Sequence, residues 1–203
     1  MLLIGLGHRA RQGKSYSARI ISEAAAEVGL DARIYSIGNE VRRWCQQRGI
    51  IPHGKTREML SPHELSLLGK YGWHIRQDNE DFWIDKVFAR IDADNPDMAM
   101  IPNVRYPNEA RRIHDRGGWN VNVERFNVDG SRFVASDRDP NLPSETSLDF
   151  WNWDYRLSAG SGQLAWLTAQ ARALFSVLQD ARAKPYFPVG EGSGGGHVQI
   201  QAQ

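Results

Sequence analysis

The chain has 203 residues, with 25 basic against 24 acidic side chains and a formal net charge of +1. That length suits one well-buried core with a small lid or insertion rather than two full-sized domains. The near-cancelling charge excludes a broad electrostatic grip on nucleic acid while leaving room for a local cationic pocket. Cys45 is the only cysteine, so no intramolecular disulfide can form. The apolar run at residues 1–6 is too short for a signal peptide or a membrane span, and a soluble, cytoplasmic protein is expected.

Residues 1–6 read as a buried strand and residues 15–28 carry a helical pattern. Between them lies Gly5-Leu6-Gly7-His8-Arg9-Ala10-Arg11-Gln12-Gly13-Lys14-Ser15. Strand, glycine-rich turn and helix is the setting a phosphate-binding loop requires. Backbone N–H groups converge on phosphate oxygens there, Lys14 would reach the β- and γ-phosphates, and the Ser15 hydroxyl is placed to ligate Mg²⁺. The usual spacing puts four residues between the two glycines, whereas five separate Gly7 from Gly13. Either the loop is one residue longer or His8 takes the first-glycine position. The competing reading is an ordinary turn that happens to contain Gly-Lys-Ser, but Arg9 and Arg11 inside the loop favour an anion.

Gly29-Leu30-Asp31 stops the first helix and residues 32–37 alternate into a second strand, giving the βαβ signature of a parallel sheet. The helix that follows carries Arg42 and Arg43 close to the carboxyl end of that strand, where ligands of open α/β sheets collect. Each is read either as a phosphate ligand or as a solvated charge. Residues 49–61 form a polar connection, and residues 62–71 and 81–91 form two helices separated by Gly72-Trp73-His74-Ile75-Arg76-Gln77. Phe82, Val87, Phe88 and Ile91 share one face. Trp83 falls off that stripe, and is either packed from another side or a platform for a base. Arg76 is a surface charge or a substrate clamp.

Residues 98–101 form a third apolar strand ending in Pro102-Asn103-Val104-Arg105-Tyr106-Pro107-Asn108-Glu109. Arg105 is suited to hold a phosphate by two parallel hydrogen bonds. Glu109 sits in the favourable first turn of the next helix, and residues 119–125 make a fourth strand. Residues 126–147 are charged and broken by prolines, as a lid would be, and carry Arg132 and Arg138. Residues 153–157 give the last strand, 158–162 a tight loop, 163–183 a closing helix and 184–203 a disordered tail.

The segment Asn103-Val104-Arg105-Tyr106-Pro107-Asn108-Glu109-Ala110 resembles the Asp-Val-Arg-[Phe/Tyr]-Pro-Asn-Glu-Ala run of bacteriophage deoxynucleoside monophosphate kinases, members of the P-loop kinase superfamily. The phosphate loop, residues 36–42, residues 68–83 with Arg76, and Ser144-Glu145 support the resemblance, which runs in patches over residues 2–178. It implies a three-layer α/β P-loop domain over residues 1–183 with a mainly parallel central sheet and a lid-like segment at about 126–147. It also implies ATP and Mg²⁺ as cofactors and γ-phosphoryl transfer to a (deoxy)nucleoside 5′-monophosphate. By the same resemblance Lys14, Arg105 and Arg138 are catalytic. Gly7, Arg11, Gly13, Lys14, Ser15, Tyr16, Ala159 and Gly160 meet ATP, the last two through the backbone at the adenine. Arg42, Arg76, Trp83, Arg105 and Glu109 bind the acceptor, and Ser15 the metal. The expected partners are small nucleotides, with no membrane and no strong nucleic-acid signal; a homodimer is allowed, in the host cytoplasm if the chain is phage-encoded. Two positions depart from the family: Asn103 stands where an aspartate is common, and Ser15 where aspartate often follows the loop lysine. The alternatives are a P-loop kinase acting on another acceptor, such as a modified base hydroxyl in DNA, and a non-catalytic nucleotide-binding regulator.

Overall fold

Period-two alternation inside two apolar runs builds the centre of the molecule. Leu3 in β1 (Leu2–Gly7) and Ala99 and Ile101 in β3 (Met98–Val104) face one helical layer, whereas Leu2, Ile4, Leu6, Met98 and Met100 face the other. Strands covered on both faces read as continuous apolar runs, which is why these two were visible as inner strands. In the computed structural model, described over residues 1–137 and 139–183, β2 (Ala32–Ile34), β4 (Trp119–Phe126) and β5 (Tyr155–Gly160) complete one sheet. Its order is β2-β3-β1-β4-β5 and every neighbouring pair is parallel. The chain leaves β1 toward β2 on one side and later returns from β3 to β4 on the other. The topological switch, where open α/β sheets bind ligands, therefore falls at the carboxyl end of β1.

α1 (Lys14–Glu27) and α7 (Leu164–Ala183) pack on one face through Ala18, Ile21, Leu167, Leu174 and Leu178. The opposite layer contains α4 (Phe82–Asp94) and α5 (Pro107–Asp115), with α2 (Ile37–Gln47) and α3 (Pro62–Asp78) against α4. A 3₁₀ turn at Arg57–Met59 joins α2 to α3, and α6 is a single turn at Pro143–Thr146. Val87, Phe88 and Ile91 of α4 are each 1% exposed or less, and burying such side chains contributes roughly 1.5–3 kcal/mol apiece. No helix among the described residues is long and apolar enough to cross a membrane.

Four local expectations change. α3 runs unbroken through residues 72–77, because Ser61 and Glu64 form a capping box with Pro62 at its start and tertiary packing overrides the weak helix propensity of Gly72. β2 is only three residues long. β5 begins at Tyr155 and continues to Gly160, paired with Glu124 through Phe126, so the loop expected at 158–162 shrinks to 161–163. The segment after β4 first turns back as a hairpin, with Asn127 N–H donating to Ser131 O and Phe133 N–H to Arg125 O, and then folds into α6. Residues 184–203, where the tail was placed, lie outside the described residues.

Candidate active site

Gly7 closes β1, paired with Val104 and Asn122, so the loop proper begins at His8 and four residues separate His8 from Gly13. Of the two spacings considered, His8 takes the first-glycine position. Gly7 has a different reason to be glycine: a Cβ there would lie 2.1 Å from the Trp153 ring. That ring stacks on His8, which is 4% exposed and contacts Asp149 Oδ1 through Nε2 at 2.9 Å. Burial pulls the His8 pKa below its usual value although Asp149 opposes the shift.

Gly13 caps α1 at φ 103°, a left-handed conformation that favours glycine, and a Cβ there would also meet Leu167 at 2.9 Å. No side chain caps the helix, so the N–H groups of its first turn face the loop as an anion seat. Lys14 is buried and donates from Nζ to Arg9 O, which holds the ammonium inside the loop. Ser15 is exposed on the first turn, and the half-buried Tyr16 directs its hydroxyl to Thr168 on α7. Among the described residues no group of three His, Cys, Asp or Glu side chains could hold a metal. The exposed Ser15 hydroxyl is the side-chain oxygen at the start of α1 that could ligate a cation carried by a bound phosphate.

The segment after β4 is fastened onto this loop by side chains. Arg9 makes a bidentate pair with Asp149 at 2.7 Å to both oxygens, and Arg11 pairs with Asp137 at 2.7 Å. Gln12 donates to Phe133 O at 2.9 Å and accepts from Arg125 N–H at 2.5 Å. Ala10 N–H donates to Glu145 Oε2 at 2.7 Å. The lid-like segment is thus the outer wall of the phosphate loop.

Beside it lies an open cleft of about 550 Å³ between α3 and α6, lined by Trp73, Arg76, Tyr106, Pro143 and Ser147. Arg76 donates to Glu109 Oε1 at 3.0 Å and Asn108 Oδ1 at 2.9 Å, and its guanidinium lies 3.7 Å from the Tyr106 ring centroid. Arg105 donates from Nη1 to Glu145 Oε1 at 2.5 Å and to Ser144 O at 3.2 Å. Burial pushes the Glu109 carboxyl up to about 7, against the opposing pull of Arg76 and of the Arg105 and Tyr106 backbone N–H donors.

These positions reassign several expected residues. Glu109 is 2% exposed, with its contacts inside the protein; it orients Arg76 and the start of α5 instead of meeting a ligand. Trp83 is 1% exposed, donates from Nε1 to Gly72 O at 2.9 Å, and stands edge-on to Trp44. A base cannot stack on it, and the aromatic exposed at the cleft is Trp73. The Gly160 N–H donates to Gln163 Oε1 at 3.0 Å, and Ala159 is a buried strand residue, so neither backbone group forms the expected loop at an adenine. Arg42, on α2, is close enough to Glu58 to help hold its carboxyl below the usual range. Arg132 pairs with Glu124 at 2.9 Å, and Arg138 lies outside the described residues. Asn103 has a structural task, its Oδ1 accepting the Ile37 N–H at 3.2 Å to tie β3 to α2.

The fold and loop together define a class: an α/β protein with a parallel sheet ordered β2-β3-β1-β4-β5 and Gly13-Lys14-Ser15 at the end of its central strand. No family model and no curated protein matches the chain. Among solved structures it is similar to APS kinase from Mycobacterium tuberculosis in complex with AMPPNP and APS, at 16% identity over 88% of this chain and 97% of that one, TM-score 0.46. It is also similar to shikimate kinase from Aquifex aeolicus, at 15% identity over 90% of this chain and 100% of that one, TM-score 0.43.

Proposed function

We propose that the chain is an ATP-dependent P-loop kinase that transfers the γ-phosphoryl group to a nucleoside or deoxynucleoside 5′-monophosphate, giving the diphosphate. The observation that carries this reading is the adjacency of two half-sites. A phosphate loop with Lys14 lies at the switch point, and an arginine- and aromatic-lined cleft opens beside it, the two meeting at α6. An aromatic face with arginine beneath it suits a planar base carrying a phosphate.

Phosphoryl transfer relies on alignment and on cations where charge develops, with little covalent work for the protein. Lys14 and the first-turn N–H groups of α1 would hold the donor phosphates, with Ser15 on a Mg²⁺ that supplies further charge neutralisation. Arg105 and Arg76 would hold the acceptor phosphate and Trp73 its base. The wall formed over the loop by Asp137 and residues 139–149 would exclude water, which competes as acceptor.

The test is a panel of common nucleoside and deoxynucleoside monophosphates, assayed with ATP and Mg²⁺ for diphosphate and run alongside calorimetry of ATP binding. Lys14→Ala should lower turnover by orders of magnitude with every acceptor. Arg105→Ala should leave ATP binding nearly intact and cost on the order of 2–4 kcal/mol in kcat/KM for the acceptor. Tight ATP binding by the wild type without diphosphate from any acceptor would instead make the chain a nucleotide-binding regulator.

A further inference from the structure

Glu145 belongs to neither half-site as the resemblance drew them, yet it touches both. It lies on the single-turn helix α6 and is 4% exposed. One oxygen, Oε2, accepts the Ala10 N–H of the phosphate loop at 2.7 Å, and the other, Oε1, accepts Nη1 of Arg105 at 2.5 Å. Arg105 reaches from the end of β3 and is gripped a second time by the Ser144 carbonyl at 3.2 Å. Its backbone N–H is in turn held by buried Glu109 at 2.8 Å. A rigid planar group of three atoms therefore spans from the donor loop to the acceptor-side arginine, and Pro143 at the start of α6 and Ser147 just past its end line the cleft itself.

We infer that Glu145 is a positioning residue for phosphoryl transfer: its carboxylate sets the distance between the phosphate loop and Arg105. The inference rests on the kinase reading above. The chemistry of the residue supports a spacer role. Ionised, it offers an acceptor on each side at once, and both bonds are strengthened by charge and by a buried setting. A glutamine cannot do this, because its amide has one accepting oxygen, and its NH₂ would be set against the N–H of Ala10 or of Arg105. An aspartate keeps the charge but is one methylene short of reaching both. In either variant the loop and Arg105 remain present while their separation is no longer enforced, and misplacement of the order of 1 Å costs roughly a hundredfold in rate.

The experiment measures kcat and KM for ATP and for the best monophosphate in wild type, Glu145→Gln, Glu145→Asp, Arg105→Ala and the Glu145→Gln/Arg105→Ala double variant. Calorimetry with a non-hydrolysable ATP analogue and thermal melts accompany the kinetics. Both single Glu145 variants should lose about tenfold to a hundredfold in kcat, with affinity for the analogue changed by less than about threefold. Because Glu145 acts through Arg105, adding Glu145→Gln to Arg105→Ala should cost little more. The Ala10 amide should also exchange faster with solvent in Arg105→Ala, since the carboxylate that accepts it has lost the Arg105 guanidinium that helps to hold it.

Several results would overturn the inference. One is wild-type kcat in both Glu145 variants; another is the same fold-loss with and without Arg105. Analogue binding tightened tenfold would show instead a carboxylate sitting in a phosphate seat. Should the Glu145 variants fail to fold, unchanged exchange of the Ala10 amide in Arg105→Ala would sink the link by itself, and faster exchange would support it. A wild type that makes no diphosphate brings down the kinase reading and this role together, whereas an active wild type with equally active variants brings down this role alone.

Discussion

Trp73 and Trp83 lie ten positions apart, and the structure gives them opposite fates: Trp73 is 49% exposed at the cleft and Trp83 is 1% exposed in the core. Replacing each by alanine separates binding from stability. A base stacked on an aromatic ring is worth about 1–3 kcal/mol, so Trp73→Ala should reduce kcat/KM for the monophosphate by roughly five- to 150-fold while leaving KM for ATP unchanged. With half of its surface already in water, the loss in folding stability should stay below about 3 kcal/mol by area. Trp83→Ala empties a filled site and removes the Nε1–H bond to the Gly72 carbonyl, for a cost of about 3–5 kcal/mol from packing plus about 1 kcal/mol from the hydrogen bond. Urea melts and steady-state kinetics with ATP and the acceptor varied separately read both quantities. The reasoning fails if Trp73→Ala leaves acceptor kinetics untouched, or if Trp83→Ala impairs acceptor use at wild-type stability.

Two further outcomes follow from single atoms. Gly7→Ala sets a Cβ 2.1 Å from Cη2 and 2.7 Å from Cζ3 of Trp153, a ring already stacked on His8. Overpacking of this kind costs about 3 kcal/mol, so the variant should melt early and bind ATP weakly in calorimetry; a normal melt would mean that Trp153 yields freely. Glu109→Gln tests the buried carboxyl. Its pKa is raised from 4.5 to about 7, so the folded state holds the proton more tightly than the unfolded chain does. The stability it contributes is full below about pH 4.5 and is lost as pH climbs through about 7, amounting to about 3 kcal/mol. Measured by urea unfolding, the advantage of wild type over Glu109→Gln should therefore shrink between pH 5 and pH 8. An advantage that grows with pH would show that Arg76 and the backbone donors outweigh burial.

The sheet was legible because both-faces burial leaves uninterrupted apolar runs such as Leu2-Leu3-Ile4 and Met98-Ala99-Met100-Ile101, and the phosphate loop because Gly13-Lys14-Ser15 is local. Periodicity leaves Trp83 open between core and base platform, and only the resemblance assigns it to the acceptor, because its burial comes from α2 and α3 packing on a second side of α4, through Trp44 and the Gly72 carbonyl, and no single-helix periodicity contains that information. Trp73 was hidden inside residues read as a linker, since the helical continuation of α3 depends on its cap and its packing rather than on the propensity of Gly72. The contacts of the loop with Asp137, Glu145 and Asp149 span 126 to 141 positions. Separations of that size leave no periodic signal, although the clustering of acidic residues after 136 was a usable sign that a loop with Arg9 and Arg11 had partners there.

Those long-range contacts also explain how this loop accommodates a histidine where a phosphate loop usually has its first glycine. A Cβ at that position is tolerable only if the side chain is led away from the phosphate seat, and His8 is led away: its ring is stacked on Trp153 and bonded to Asp149. Trp153 in turn is admitted only because Gly7 has no side chain. The three consecutive residues His8, Arg9 and Ala10 all reach residues 145–149, by ring nitrogen, guanidinium and backbone N–H respectively. The glycine has thus been exchanged for anchorage. Conformational freedom inside the loop is replaced by a fixed attachment to the wall that carries α6, and the loop's shape is no longer a property of residues 7–15 alone. Grafting those residues onto another parallel sheet without the 145–153 segment would leave His8 unpartnered over the phosphate seat. Conversely, a change at Asp149 should disturb donor binding even though no phosphate is assigned to it.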